Sequence, residues 1–487
     1  MHDLEVLIDS GRRLIVLETE REGCFIKGFT RLAKRSHRGY YQWRITQGLE
    51  RLAPGFEAQT FNRDFNKLFG QILSTEHAGV YVLVDFHHHL TDPLAIRFIK
   101  DVLLQTPQHT LILLSATVEL PDELRSFSTY YKLPLPTPTR LKNLVNDLAV
   151  SYKGETANSL KASDKNIVNR LVNQLCGLSE TDAERLARHA IWKDGVIDQT
   201  DLDEIAKYKF ELLNENNVLN LDLDYEELDH IAGFSKLKQW LEIRRKVFLG
   251  EVKLPGGDIP KGMLLLGVQG CGKSMAAKAV AGSWELPLLH LDFGTLYNRF
   301  YGQTEENLRS ALEVAEKMAP CVLWLDEVEK GMSAVSSSDD VSKRLLGTFL
   351  TWLAEKKQSV FVVATANDVS ALPPELLRKG RFDEVFFVDL PNLDERRLIL
   401  DIHLKRRKLS SKGIDLGRLA EQTEGFSGAE LEQLIVSSVY QSYSETAPLS
   451  TELLTALVDK TQPLSVLMSE KIQALQHWAQ GRAVKVS

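Results

Sequence analysis

The sequence has few cysteines and no long apolar run. Its four cysteines, Cys24, Cys176, Cys271 and Cys321, lie far apart in 487 residues and form no C-x-x-C pair. This scarcity excludes a disulfide framework and a cysteine-based zinc site, and it fits a reducing compartment. No apolar stretch is long enough to span a bilayer, and the first residues resemble neither a signal nor a transit peptide. We therefore expect no membrane span, and a location in the bacterial cytoplasm or, if the chain is plastid-encoded, in the stroma.

The sequence also lacks a basic excess. Lysine and arginine total 59 against 66 aspartate and glutamate residues, which gives a net charge of −7. Such a chain has no overall field that attracts nucleic acid or an anionic membrane, so we do not expect nucleic acid as a partner. The hydrophobic content of 44% is ordinary for a globular protein, and the length allows two to four domains.

What the sequence does contain is a glycine-rich loop between an apolar run and a helix-forming segment. Residues 267–274 read Gly-Val-Gln-Gly-Cys-Gly-Lys-Ser and follow Met263–Leu266. This is G-x-x-x-x-G-K-[ST], whose backbone N–H groups and following helix bind phosphates. We predict that Lys273 contacts the β- and γ-phosphates of ATP, and that the Ser274 hydroxyl binds Mg²⁺. The predicted nucleotide-binding residues here are Gly267, Val268, Gln269, Gly270, Cys271, Gly272, Lys273, Ser274 and Met275.

Two further apolar runs end in polar residues. Val322–Leu325 is followed by Asp326 and Glu327, and Val360–Ala366 by Asn367. We predict that Asp326 joins Ser274 as a Mg²⁺ ligand and that Glu327 polarises the water that attacks the γ-phosphate. Asn367 would hold this water or contact the γ-phosphate. A buried strand followed by surface acids is the alternative, which the position after a phosphate loop disfavours.

These blocks, in this order, resemble the AAA+ superfamily. The block Arg-Lys-Gly-Arg-Phe-Asp at residues 378–383 resembles that of its AAA subgroup, with Lys379 where proline is usual. The resemblance implies that Arg378 and Arg381 project into the nucleotide site of a neighbouring subunit. It therefore implies a homo-oligomeric ring, expected to be a hexamer. Local salt bridges are the alternative role for the two arginines.

Three weaker matches extend this resemblance. Ile231 and Ala232 would lie beside the adenine, and Gly428 and Ala429 would begin a lid helix that contacts the nucleotide. Phe300, Tyr301 and Gly302 resemble the pore loop that grips a threaded protein in AAA rings, although core packing is the alternative for the two aromatic residues. No His-Glu-x-x-His motif occurs, which excludes the relatives that carry a zinc protease site.

The first half of the chain repeats the same order of motifs in degraded form. Leu14–Leu17 reads as a strand, and Glu18–Phe25 stands where a phosphate loop would follow, with Cys24 in place of the lysine and Phe25 in place of the serine. Glu18, Glu20 and Glu22 would repel a polyphosphate, so we predict a site that binds no nucleotide.

A second degraded motif follows in the same half. Val80–Asp85 matches the second motif with Asp85 in the place of Asp326, but Phe86 follows instead of a glutamate. The run His87–His89 reads as a polar strand end rather than a metal site, because adjacent residues on an extended chain point to opposite faces.

The predicted fold class is α/β. It consists of a P-loop NTPase, in which helices flank a parallel sheet and a helical lid follows, preceded by a degenerate P-loop-like α/β domain with its own helical region. The predicted divisions are the degenerate domain (1–137), a lid-like helical region (138–213), a linker (214–225), the ATPase core (226–391) and the lid with a final helix (392–487).

This arrangement resembles an AAA-domain protein family of plastid hypothetical reading frames and cyanobacteria. The resemblance implies a Mg²⁺-dependent ATPase with ATP as its nucleotide, which remodels or regulates a protein partner. The alternative is an ATP-gated regulatory scaffold, in which nucleotide switches assembly and no substrate is threaded.

Overall fold

The computed structural model describes residues 2–487 except 20–21, 54, 132, 157–159, 165, 215–217, 227, 229–230, 253, 257, 294–295, 297–303, 333–339, 379, 412 and 446–448. The chain forms two compact units, Met1–Pro134 and Leu135–Ser487. The domain limits given above remain predictions, since this division concerns only the boundary after Pro134.

The front unit is a six-stranded sheet with helices on both faces. Its strands are β1 (Leu14–Glu18), β2 (Gly39–Arg44), β3 (Gly48–Arg51), β4 (Gly79–Val84), β5 (Thr110–Ser115) and β6 (Ser128–Tyr131), and its helices are His2–Asp9, Glu22–Ala33, Phe65–Ser74, Pro93–Gln105 and Asp122–Arg125, with 3₁₀ turns at Thr60–Arg63 and Phe86–His89. The spatial order is β3-β2-β4-β5-β1-β6, and only the β2–β3 pair is antiparallel. Strands β4 and β5 are buried along their whole length, as expected for parallel strands covered on both faces.

The second unit begins with a helical region. Its helices are Pro138–Thr156, Ile167–Leu175, Glu180–Asp194 and Gln199–Leu213, with a two-stranded ribbon of β7 (Lys161–Ala162) and β8 (Val196–Ile197). Ala206 belongs to the hydrophobic core of the sheet that follows, and Phe210 and Leu213 pack against it. This region, which we predicted to be a lid for the front domain, therefore packs with the second sheet.

A seven-stranded sheet forms the centre of the second unit. Its strands are β9 (Leu219–Asp222), β10 (Gly262–Gly267), β11 (Leu288–Asp292), β12 (Cys321–Asp326), β13 (Val360–Ala366), β14 (Glu384–Val388) and β15 (Val484–Lys485). The order is β15-β14-β10-β13-β12-β11-β9, and only the β9–β11 pair is antiparallel. Helices Ser235–Phe248, Lys273–Trp284, Thr304–Met318, Val328–Met332 and Asp340–Glu355 and the 3₁₀ turn Pro374–Leu377 connect the strands.

A helical lid follows β14. Helices Leu393–Arg406, Leu416–Gln422, Gly428–Glu445 and Thr451–Val458 share one hydrophobic core, and Leu464–Leu467 and Ser469–Ala479 lead to β15. The first lid helix begins with a reciprocal capping box between Asn392 and Glu395, which fixes its start directly after the sheet. The predicted α/β fold class, with a parallel sheet and a helical lid, is confirmed.

Candidate functional site

The phosphate loop lies between the end of β10 and the helix that begins at Lys273. Gly270 and Gly272 have φ angles of 77° and 88°, a conformation that L-residues with a side chain rarely adopt. A Cβ on Gly270 would lie 3.1 Å from the Cβ of Ala429, which belongs to the third lid helix. The glycines therefore allow both the tight loop and its close approach to the lid.

Lys273 is buried beneath this loop. Only 7% of the residue is exposed, and its Nζ donates to the carbonyl oxygens of Gly267 and Val268, both at 2.8 Å. Burial lowers the pKa of Lys273 to about 8, because removal from water disfavours the charged amine more than the nearby Glu329, Asp326 and Glu327 favour it. A polyphosphate in the adjacent cavity would add further negative charge beside this amine.

Asp326 and Glu327 lie at the end of β12, joined to β13 by Thr365. The Thr365 hydroxyl donates to Asp326 Oδ1 at 2.6 Å, and the backbone N–H of Glu327 donates to Thr365 Oγ1 at 3.1 Å. Glu327 has a φ of 49°, which turns the chain sharply between the strand and the helix Val328–Met332. Thr365 thus orients both acids, a role that sequence reasoning missed.

Asn367 follows β13 and contacts two acids. Its Nδ2 donates to Glu327 Oε1 at 2.9 Å, and its backbone N–H donates to Glu329 Oε1 at 2.8 Å. The other oxygen of Glu327 forms an ion pair with Lys330. Glu329 is buried, burial raises its pKa, and within the described part of the chain its Oε2 has no hydrogen-bond partner. The sequence analysis had not singled out Glu329.

These groups surround a cavity of about 670 Å³ at the carboxyl edge of the sheet. Of the predicted residues, the cavity is lined by Ile231, Ala232, Gln269, Gly270, Cys271, Gly272, Lys273, Ser274, Met275, Asp326, Glu327, Asn367, Gly428 and Ala429. Gly267 and Val268 stand outside this lining but hold Lys273 through their carbonyl groups. Burial raises the pKa of Cys271 to about 11, so its side chain is a neutral thiol.

Four family models match the chain in succession. They are described as the SpoVK-like AAA ATPase N-terminal domain (residues 1–133), the SpoVK-like AAA ATPase second domain (139–216), the ATPase family associated with various cellular activities (263–390) and the AAA+ lid domain (413–452). An uncharacterized AAA domain-containing protein ycf46 of Pyropia yezoensis is 34% identical over 100% of this chain and 99% of its own length. The corresponding protein of Trieres chinensis is 35% identical over 85% of this chain and 83% of its own length.

The chain belongs to the ycf46 family of AAA domain-containing proteins. A more distant relative, the ATP-dependent zinc metalloprotease FtsH 2 of Methylacidiphilum infernorum, is 38% identical over 42% of this chain and 33% of its own length. The suspected AAA resemblance is thereby confirmed.

Several cavity residues of this ycf46-family chain lie on the lid and were missed by sequence reasoning. Ile399 and His403 are one helical turn apart on the first lid helix and face the cavity together with Glu432. His403 Nδ1 lies 3.5 Å from Glu432 Oε1, and burial lowers the pKa of the imidazole. The spacing of four residues on a helix was the signal that could have identified this pair.

The two predicted arginines lie outside the cavity lining. Arg378 is exposed, and among the described residues its side chain forms no hydrogen bond or ion pair, whereas Arg381 donates to the carbonyl oxygen of Leu350. Neither arginine contacts the phosphate loop of its own chain. The predicted pore-loop residues Phe300, Tyr301 and Gly302 lie outside the described residues.

The corresponding edge of the front sheet differs in its loop. Strand β1 ends at Glu18 and the next helix begins at Glu22, which leaves three residues where the second unit has five, 268–272. Asp85 has a φ of 54° and directly follows β4, much as Glu327, with a φ of 49°, directly follows β12. Its backbone N–H donates to the Leu114 carbonyl oxygen, whereas that of Glu327 donates to the Thr365 hydroxyl.

No helix in the described ranges is long and apolar enough to cross a membrane. Within the same ranges, no group of three or more histidine, cysteine or acidic side chains is placed to hold a metal ion, including the region around His87 and His88.

Proposed function

We propose that this chain is a Mg²⁺-dependent ATPase that works as a homo-oligomeric ring, expected to be a hexamer, and remodels or regulates a protein partner. The observation that supports it best is the convergence of Lys273, Asp326, Glu327 and Asn367 on one cavity below a phosphate loop. Buried Lys273 would bind the β- and γ-phosphates, and the N–H groups at the start of its helix would add to the attraction. We place this activity in a bacterial cytoplasm or a plastid stroma.

Glu327 would act on the attacking water. Its Oε1 accepts a hydrogen bond from Asn367, which aims the carboxylate, and its Oε2 is paired with the ammonium group of Lys330. Each carboxylate oxygen has a second lone pair, so Glu327 can accept a hydrogen bond from the attacking water while it keeps both contacts.

The donor set of the cavity fits a magnesium ion. Ser274 and Asp326 both line the cavity and offer hydroxyl and carboxylate oxygens, which are the ligands that this hard cation prefers. One oxygen of Asp326 accepts the Thr365 hydroxyl, so the carboxylate is held in one orientation. Bound Mg²⁺ would neutralise phosphate charge during hydrolysis.

Assembly would complete the site. Arg378 and Arg381 lie outside the cavity lining of their own chain, and in the site of a neighbouring subunit a guanidinium group would stabilise charge on the phosphoryl oxygens. Arg381 would first have to release the Leu350 carbonyl oxygen. Activity per subunit should therefore rise with protein concentration. Arg378→Ala and Arg381→Ala should each bind ATP normally and hydrolyse it about a thousandfold more slowly.

A mixing experiment tests this arrangement. Subunits that carry both arginine substitutions keep an intact Lys273, whereas Lys273→Ala subunits keep both arginines. Mixing the two inactive variants should restore part of the rate, because one can supply the phosphate loop and the other the arginines. If the mixture stays inactive and the specific activity of the unmodified protein is unchanged by dilution to monomer, the arginines act within their own chain and the ring is wrong.

The partner can be captured with a hydrolysis-deficient variant. Glu327→Gln should retain ATP and therefore hold the partner-bound state, and a pull-down with ATP present would recover the partner. Stimulation of the unmodified ATPase by this partner, lost in Phe300→Ala and Tyr301→Ala, would support remodelling. Partner binding without any change in turnover would instead support the scaffold alternative.

A further inference from the structure

Residues 484–487, which we call the clasp segment, lie against the nucleotide cavity although they are distant in sequence from its motifs. Strand β15 pairs in parallel with β14, with Val484 opposite Phe386 and Lys485 opposite Phe387. The Val486 N–H continues this ladder by donating to the Phe387 carbonyl at 3.2 Å. Lys485, Val486 and Ser487 all line the cavity of about 670 Å³.

The clasp segment also caps a helix of the core. The helix Ser235–Phe248 has no side-chain cap, and its first backbone N–H groups need acceptors. The Val486 carbonyl accepts from the N–H groups of Lys236 and Leu237, at 3.0 and 3.4 Å, and Lys236 Nζ donates to the Ser487 carbonyl at 2.7 Å. Val486 is only 5% exposed, so this attachment is packed as well as hydrogen-bonded.

The same segment reaches the lid. The Ser487 hydroxyl donates to Glu395 Oε1 on the first lid helix and accepts the N–H of Phe234 from the core at 3.2 Å. Lys485 Nζ lies 3.7 Å from Asp389 Oδ2, at the connection between sheet and lid. Gly233 approaches Glu395 so closely that a Cβ at this position would lie 2.2 Å from its Oε1. Core, clasp segment and lid therefore meet at one point beside the cavity.

We propose that residues 484–487 clasp the lid to the core across the nucleotide cavity, so that nucleotide leaves only when the contact of Ser487 with Glu395 and Phe234 opens. The proposal rests on the nucleotide-binding function given above. A nucleotide in the cavity is enclosed by the phosphate loop, the lid and this segment together. Rotation of the lid away from the core must separate Ser487 from one of its two partners, which slows release.

The experiment measures release of fluorescent ADP (a methylanthraniloyl derivative) from the full chain and from a chain that ends at Ala483. Loss of the hydrogen bonds that join the clasp segment to the core, together with the one from Ser487 to Glu395 on the lid, should speed dissociation about tenfold. Ser487→Ala, which removes only the bridging hydroxyl, should speed it about threefold. Arg482→Ala is the matched control, because Arg482 stacks on Trp478 outside the cavity lining and should release ADP at the normal rate.

The outcomes separate this proposal from the proposed function. If the full chain binds the fluorescent ADP, and Lys273→Ala does not, the nucleotide site stands. Unchanged release rates from both the shortened chain and Ser487→Ala would then overturn the clasp alone. If the shortened chain does not fold, Ser487→Ala decides the question by itself. Failure of the full chain to bind nucleotide would overturn the proposed function and the clasp with it.

Discussion

The two sheets of this chain share one strand order but differ at the edge where their parallel strands end. Reading from β6, the front sheet runs β6-β1-β5-β4-β2, and reading from β14, the second runs β14-β10-β13-β12-β11, so each of these five strands has a counterpart at the same place. Among the described residues, the front unit buries no lysine, arginine, aspartate or glutamate, whereas the second unit buries Asp201, Lys209, Lys273, Glu329 and Arg396. Burying a charged side chain costs free energy of folding unless hydrogen bonds or an opposite charge compensate it. The comparison teaches that the same strand order forms with and without these buried charges, because it depends on apolar runs that both units keep.

The largest expected effect is on the number of nucleotides bound per chain, which tests the difference between the two sheets directly. We expect one nucleotide per chain in the unmodified protein and none in Lys273→Ala, because the front loop is two residues shorter and has no lysine. Equilibrium dialysis with labelled ATP and calorimetry give the stoichiometry. Two nucleotides per chain, or one remaining in Lys273→Ala, would show that the front edge binds nucleotide.

Glu327 and Asp85, which each directly follow a strand with a positive φ, should differ in their contribution to ATP turnover. Glu327→Gln should keep ATP binding and reduce turnover by about a hundredfold or more, because the amide cannot accept the proton of the attacking water. The matched control is Asp85→Asn in the front unit, which should leave turnover unchanged. Phosphate release at saturating ATP is the measurement, and equal losses in both variants would contradict the assignment.

Lys209 tests whether a charge buried in the second unit destabilises its fold. Its side chain is 0% exposed, its Nζ donates to the Gln174 and Cys176 carbonyl oxygens at 2.9 and 2.6 Å, and burial lowers its pKa from 10.5 to about 8. Below pH 8 the residue is charged in both the folded and the unfolded chain, so the full free-energy cost of burying its charge lowers the stability of the fold. Between pH 8 and 10.5 the unfolded chain holds more protons, so stability rises with pH through this group.

The free energy of unfolding of the unmodified protein, relative to Lys209→Met, should therefore rise by up to about 3 kcal/mol across this range. Denaturant unfolding of both proteins at several pH values measures this difference. A difference that stays constant with pH would mean that Lys209 does not change its protonation on unfolding.

The smallest expected effect concerns repair of the front loop. Cys24→Lys combined with Phe25→Ser should leave the stoichiometry at one nucleotide per chain. The glutamates of this segment remain, and a three-residue connection between Glu18 and Glu22 cannot direct several N–H groups at a phosphate. Appearance of a second bound nucleotide in this variant would show that loop length matters less than the two side chains.

Much of the fold and the centre of the site could be predicted from the sequence. Apolar runs followed by Asp326 or Asn367 predict strands that end at one edge of the sheet, and the glycines of the phosphate loop predict its tight turn. The packing partner of the helical region 138–213 could not be read in this way, because an amphipathic helix does not specify which surface it covers. The structure shows that Ala206 joins the core of the second sheet.

By itself, the sequence determined where the phosphate loop and the two acids at the end of β12 lie, because each depends on residues that are neighbours in the chain. That the front loop binds no nucleotide stays a prediction. Only the tertiary structure decided that Thr365 orients Asp326, that Glu329 holds the backbone of Asn367, and that residues 484–487 reach the nucleotide cavity. These contacts join segments that are far apart in sequence, and no local pattern records them. They exist because the strand order brings β12, β13, β14 and β15 into one sheet, where the ends of the strands meet.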